Sequence, residues 1–164
     1  MLESRRRLRY RRYMDGHNAR LMAESAGERL ALIMRSYHRL TGHVLADDAH
    51  TLWRAPFTVL AHDTSAPPEF IYANSYALTL FKRSAKDMIG LPSHLSAQAD
   101  AREQRAAMFA QLEAADIVTG YCGMRIAADG TRFRIRDAVI WNLRDDDRNL
   151  CGQAARIDRV EMPD

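Results

Sequence analysis

The feature that most constrains the fold is the change of hydrophobic period after residue 116. "IVTGYCGMRIA", "RFRIRDAVIWNL" and "LCGQAARIDRV" follow one another, separated only by "ADGT" and "RDDDRN". Each run is rich in β-formers with a period near two, and Asp129-Gly130 is a strong tight-turn pair between strands. Three such strands in succession make an antiparallel meander. Strict alternation puts Phe133, Ile135, Val139 and Trp141 on one face of the middle strand, with Arg132, Arg134 and Arg136 on the other. The sheet is therefore half-buried, and something must cover its apolar face.

The rest of the chain supplies the cover. From about residue 26, Leu30, Ile33, Met34, Tyr37 and Leu40 recur at helical spacing, with Gly42 as the stop and a second short helix expected over Ala46–Trp53. "PFTVLAHD" (56–63) and "FIYAN" (70–74) read as two strands joined by the turn "TSAPPE" (64–69). Asn74 is placed to cap a helix by accepting from its free N–H groups. Ser84 and Asp87 resemble a capping box for the next helix, which Gly90 ends. Residues 92–116 form the longest expected helix, with Met108, Phe109 and Leu112 on its apolar edge. Two strands, a helical middle and a three-stranded meander define an α+β domain, five antiparallel strands with helices on one face, preceded by an amphipathic N-terminal helix.

Charge is unevenly placed. Six arginines and Glu3 fall in residues 1–12, and the rest of the chain holds 18 basic against 20 acidic of the 24 and 21 in the whole. The body is thus not a basic nucleic-acid-binding domain, and no specific nucleic-acid binding is expected of it. The basic tail, residues 1–25, is expected to be disordered, 26–54 to be a helical extension and 55–160 the sheet domain. The N-terminus lacks the apolar core of a secretory signal, and no stretch reads as a membrane span. Two cysteines, Cys122 and Cys151, are too few for a disulfide framework or a zinc cage and are expected as free thiols of a cytoplasmic protein.

No glycine-rich phosphate loop, G-x-S-x-G elbow or metal-ligand pair at helical spacing is present, and "DDD" (145–147) lies in a hairpin turn. The chain is not expected to be an enzyme.

The order of elements, and "FIYANSYALTLFKRSAKDMIG" in particular, resembles the core of a PAS domain. "APFTVLAHD", "FIYANSYALTLF", "LPSHLSAQADAREQR", "YCGMRIAADGTRFRIRDAVIWNL" and "GQAARI" together closely resemble the MEKHLA domain, a PAS-like family of small bacterial proteins and plant homeodomain–leucine zipper regulators. The resemblance covers about residues 30–160. It implies a sheet and helices that cradle a ligand or nothing at all, and an output through partner or dimer contacts. It does not specify a cofactor. The position of the photoactive cysteine of flavin-binding relatives is held by Ser93, which rules out a thiol adduct. Gln153 falls one residue out of register with the flavin-contacting glutamine, on the opposite face. His94 lies near the segment that supplies a haem ligand but reads as a solvent-facing residue. The PAS strand order would put Cys122 and Cys151 two strands, about 9.5 Å, apart, beyond the roughly 7 Å reach of a disulfide.

Two functions compete. In the first, a small ligand sits in a pocket formed by Phe57, Val59, Tyr72, Met124, Phe133, Ile135 and Trp141 of the sheet and Leu78, Phe81 and Phe109 of the helices. Tyr72, Asn74 and Gln153 would orient it. In the second, those side chains fill the core and the protein is an interaction module, with Leu30, Ile33, Met34 and Tyr37 facing a homodimer mate or signalling partner. The same stripe could instead pack on its own sheet.

Overall fold

The computed structural model describes residues 2–97 and 102–163. In chain order these form α1 (Leu2–Ala26), α2 (Arg29–Thr41), α3 (Ala49–Trp53), β1 (Thr58–His62), β2 (Phe70–Ala73), α4 (Ser75–Phe81) and α5 (Ala85–Met88). A 3-10 turn (Ser93–Ser96) follows, then α6 (Arg102–Ala115), β3 (Ile117–Ile126), β4 (Arg132–Arg144), β5 (Leu150–Ile157) and β6 (Arg159–Glu161).

The strands form one antiparallel sheet in the order β2-β1-β5-β4-β3, with β6 also on β4. Val139 pairs with Arg156 and Arg136 with Arg159, so β6 keeps the register of β5 and continues it past a break at Asp158. The five expected strands are all present. Gly152 lets β5 close on β1, since a Cβ there would collide with the His62 carbonyl oxygen.

Local signals account for the helix ends. Asp48 accepts from Thr51 N at 2.7 Å, Asn74 from Ala77 N at 3.1 Å and Ser84 from Asp87 N at 3.2 Å, each relieving a free first-turn donor. Gly42 stops α2 in the left-handed region at φ 76°. The expected helix over 92–116 is shorter than that. Its first part is the 3-10 turn, whose following residue Ala97 bridges Arg125 of β3, and residues 98–101 lie outside the described residues.

The N-terminus corrects an expectation. Where a disordered arm is expected, Leu2–Ala26 is helical, because arginine is a good helix former and nothing before Gly16 breaks the run. The second half of α1 docks on the body. Met22 and Ala26 are buried, Asp15 Oδ1 accepts from Trp53 Nε1 (3.2 Å) and Ser75 Oγ (3.3 Å), and Asn18 Oδ1 accepts from Ala85 N (3.2 Å).

Helix α2 lies against β4 and buries Ile33 and Tyr37, with Leu30 and Met34 packed on the same core. The Tyr37 ring meets Trp141 edge-on at 5.0 Å. The apolar stripe is therefore covered by the chain's own sheet, which corrects its assignment as a partner-facing surface.

Candidate functional site

The opposite face of the sheet, under α6, the 3-10 turn and α4, carries a cavity of about 470 Å³. Which side chains reach it depends on two irregularities. Between the pairs Val118–Ile140 and Tyr121–Ala138, β3 advances three residues while β4 advances two; between Tyr121–Ala138 and Gly123–Ile135 the imbalance is reversed. Gly120 (φ 68°) and Asp137 (φ 51°) take the left-handed geometry that these extra residues require. The bulges compensate, so the register is recovered, but along the chain the cavity side changes from even to odd residue numbers on β3 and from odd to even on β4. Ile135 faces the cavity before Asp137, and Ala138 and Ile140 face it afterwards. A shift of one residue reverses every side chain beyond it.

This phase change redistributes the expected pocket. Phe81, Ile135 and Gln153 line the cavity, and so does Phe109 of α6. Trp141 belongs to the α2 face. Phe57 lies there too, its ring centroid 3.8 Å from the Arg156 guanidinium carbon, which also stands over Tyr37. Val59 pairs with Arg156 and Tyr72 with Ala61, on that same side. Met124 alternates away from the lining residues Tyr121 and Arg125. Phe133 is buried behind Phe81 at 5.3 Å, and Leu78 is buried in the main core.

Asn74 is not a ligand group. Its Oδ1 accepts from Val59 N (3.1 Å) and Ala77 N (3.1 Å), and its Nδ2 donates to Leu52 O (3.2 Å) and Phe57 O (2.9 Å). All the capacity of this fully buried amide is used within the fold.

Apolar walls come from Leu60 of β1, Phe70 of β2, Ile140 of β4, Ala155 and Ile157 of β5, and Met108 and Phe109 of α6. On this side Leu112, Val118 and Ile140 form a small apolar cluster separate from the main core. The polar lining is His62, Ser93, His94, Ser96, Arg105, Tyr121, Arg125 and Gln153. His62 Nδ1 lies 2.8 Å from the Asp63 carbonyl oxygen. Burial is the main reason its pKa lies below the ordinary 6.5, and the charge of Arg105 acts in the same direction. Ser93 is buried on the wall, and its hydroxyl has no hydrogen-bond partner among the described residues. His94 is exposed at the rim.

Gln153 connects the wall to α6. Its Nε2 donates to Asn142 Oδ1 at 3.0 Å; Asn142 Nδ2 donates to Leu112 O at 3.1 Å and to Asp116 Oδ1 at 2.9 Å. Arg144 Nε donates to the same Asp116 oxygen at 2.8 Å. Burial alone would raise the Asp116 pKa, but these hydrogen bonds and the Arg144 charge outweigh it and hold the carboxyl below its ordinary range.

Gln153 thus faces the cavity, contrary to the register argument that turned it away. Ser93 also faces it and carries a hydroxyl, which cannot form a thiol adduct, so the residues do not fit a flavin–thiol adduct. Cys122 and Cys151 are free thiols on β3 and β5, with β4 between them. Among the described residues no three His, Cys, Asp or Glu side chains are grouped to hold a metal ion, and no helix is long and apolar enough to cross a membrane.

Sequence reasoning missed Leu60, His62, Arg105, Tyr121, Arg125 and Ile140. For Tyr121, Arg125 and Ile140 the available signal was Gly120 within one strand run and Asp137 within another, both residue types that mark bulges rather than regular pairing.

Solved structures share this architecture. The PAS domain of a protein from Colwellia psychrerythraea matches with a TM-score of 0.53 at 15% identity, over 62% of this chain and 84% of that one. The Rhodobacter sphaeroides LOV protein matches with a TM-score of 0.55 at 11% identity, over 64% and 60%. A light-oxygen-voltage domain studied with a flavin analogue gives 0.54 at 19%, over 67% and 82%. At these identities the likeness is one of fold. No curated protein matches the chain in sequence. The MEKHLA domain family model matches residues 28–162, from the start of α2 through β6, and the chain belongs to the MEKHLA domain family.

Proposed function

We propose that this protein is a non-enzymatic cytoplasmic sensor that binds a small molecule between α6 and the sheet and signals through protein–protein contacts. The cavity is the observation that carries this reading. Protein interiors pack at the density of organic crystals, and a space of about 470 Å³ lies in the range of small-molecule sites. Apolar walls would supply binding energy, and His62, Ser93 and Gln153 would orient the ligand. The signal would leave through α6. A ligand that engages Gln153 competes for its bond to Asn142, which in turn holds Leu112 O and Asp116 at the end of that helix.

Membership of a PAS-like sensory family supports the signalling role, and the fully used amide of Asn74 does not count against it. The second reading, a ligand-free interaction module, draws support from the first half of α1, where Leu8, Tyr10 and Tyr13 are exposed. With the α2 stripe covered, a dimer mate or other partner would have to use a surface such as this one.

Native mass spectrometry of the purified full chain distinguishes the two readings. A stoichiometric mass excess, absent from an Ala155→Trp variant whose indole fills the cavity, is expected. An excess that persists in the filled variant would locate binding elsewhere, and none in either protein would favour the interaction module.

A further inference from the structure

The cavity's charge points to a class of ligand. Among its described lining residues are two arginines and two histidines, and no aspartate or glutamate. Neither Arg105 nor Arg125 has a carboxylate partner among the described residues, whereas Arg136, Arg144, Arg156 and Arg159 each have one. Each of the two is instead held beside an aromatic ring of the wall. The Arg105 guanidinium carbon is 5.7 Å from the Phe109 centroid and that of Arg125 is 5.6 Å from the Tyr121 centroid, with Arg125 Nη1 donating to Met124 O at 2.9 Å. Stacking fixes a guanidinium while leaving most of its five N–H donors available. Ser93 adds a buried hydroxyl without a partner, the only lining residue with such an orphan atom among those described. An unpaired cation beside apolar surface favours an anion, because low dielectric strengthens the attraction, and it disfavours a cationic ligand for the same reason.

We infer that the cavity selects a small organic anion, an apolar body carrying a carboxylate-type group that Arg105 and Arg125 recognise, with Ser93 hydrogen-bonded to the ligand. This inference rests on the ligand-binding reading above and narrows it to one chemistry. Phe81, Phe109 and Ile140 enclose the body, while the arginines reject an uncharged analogue by leaving their charge unanswered.

Two dyes that share an apolar body separate the two claims. Anilinonaphthalene sulfonate carries an anionic group, and phenylnaphthylamine lacks it. In fluorescence titrations of the full chain the sulfonate should bind about tenfold or more tightly than the neutral dye, the scale of a hydrogen bond to a charged group. Arg105→Gln combined with Arg125→Gln should abolish this preference by weakening the sulfonate toward the neutral dye's affinity, while the paired Arg→Lys variant should retain much of it. Equal affinities in the unmodified protein, or a preference that survives the Gln variant, would overturn anion selectivity while leaving the cavity a binding site. Failure of both dyes to bind, or binding undiminished in Ala155→Trp, would overturn the ligand-binding reading and this inference with it.

Discussion

Asn74 joins the end of α3, the start of β1 and the first turn of α4 through one amide. Asn74→Ala would take the side-chain acceptor from Val59 N and Ala77 N and the side-chain donor from Phe57 O, while Leu52 O would keep its bond from Ala55 N. The expected loss is about 3 kcal/mol, read as a lowered urea midpoint with unchanged slope. His62 predicts a pH dependence. In the unfolded chain it takes up a proton near its ordinary 6.5, whereas in the fold it remains neutral to lower pH. Between those two values the unfolded state binds more protons, so this part of the stability is fully present above about pH 6.5 and is lost as pH falls through the folded value. Urea midpoints at about pH 7.5 and about pH 5.5 should show the drop, and His62→Gln should reduce it. The cap at Asn74 was legible in the sequence because a cap depends on neighbours within three residues. Its bonds to Leu52, Phe57 and Val59 were not, because they depend on how distant segments meet.

Among the elements, β3 and β4 determine what the cavity contains. Asp137 sits at φ 51°, with its carboxylate 2.8 Å from Arg159 Nη1. Asp137→Gly should be tolerated to within about 1 kcal/mol, and Asp137→Val should cost more, about 1–3 kcal/mol, because a β-branched residue resists positive φ. Comparing the two in thermal unfolding isolates the backbone requirement. Trp141, fully buried against Tyr37 on the α2 face, gives the complementary result. Trp141→Ala should lose roughly 3–5 kcal/mol by leaving a void, yet the folded fraction should keep its dye affinity, since the ring lies on the other side of the sheet from the cavity. The meander, hairpin and helix stops could be read directly, for each has a local signal. The faces could not, because period-two counting assumes an unbroken strand, and one bulge on each of two strands exchanged Trp141 for Ile140. Gln153, named among the orienting groups although counting from Gly152 turned it to the far face, lies on the cavity wall.

At the scale of the molecule, the sheet separates two environments. One face is closed by α2 with Ile33, Tyr37 and Trp141 and by the Arg156 guanidinium over Tyr37 and Phe57; the other carries the cavity under α6, with Arg105 and Arg125, which have no carboxylate partner among the described residues. One face is thus packed and the other carries the cavity, and the basic helix α1 runs from the docked Met22 out to exposed Tyr10 and Leu8. The sequence revealed the domain and its family but not the order within α1, since charge runs usually signal a solvated arm and the docking contacts of Asp15 and Asn18 are long-range. The most direct test is a map of backbone amide shifts by NMR as anilinonaphthalene sulfonate is added to the full chain. The largest shifts should fall at Phe109, Ile140, Gln153 and Ala155, with Tyr37 and Trp141 little changed. Shifts centred on Tyr37, Trp141 and Phe57, with the α6 side silent, would contradict this placement.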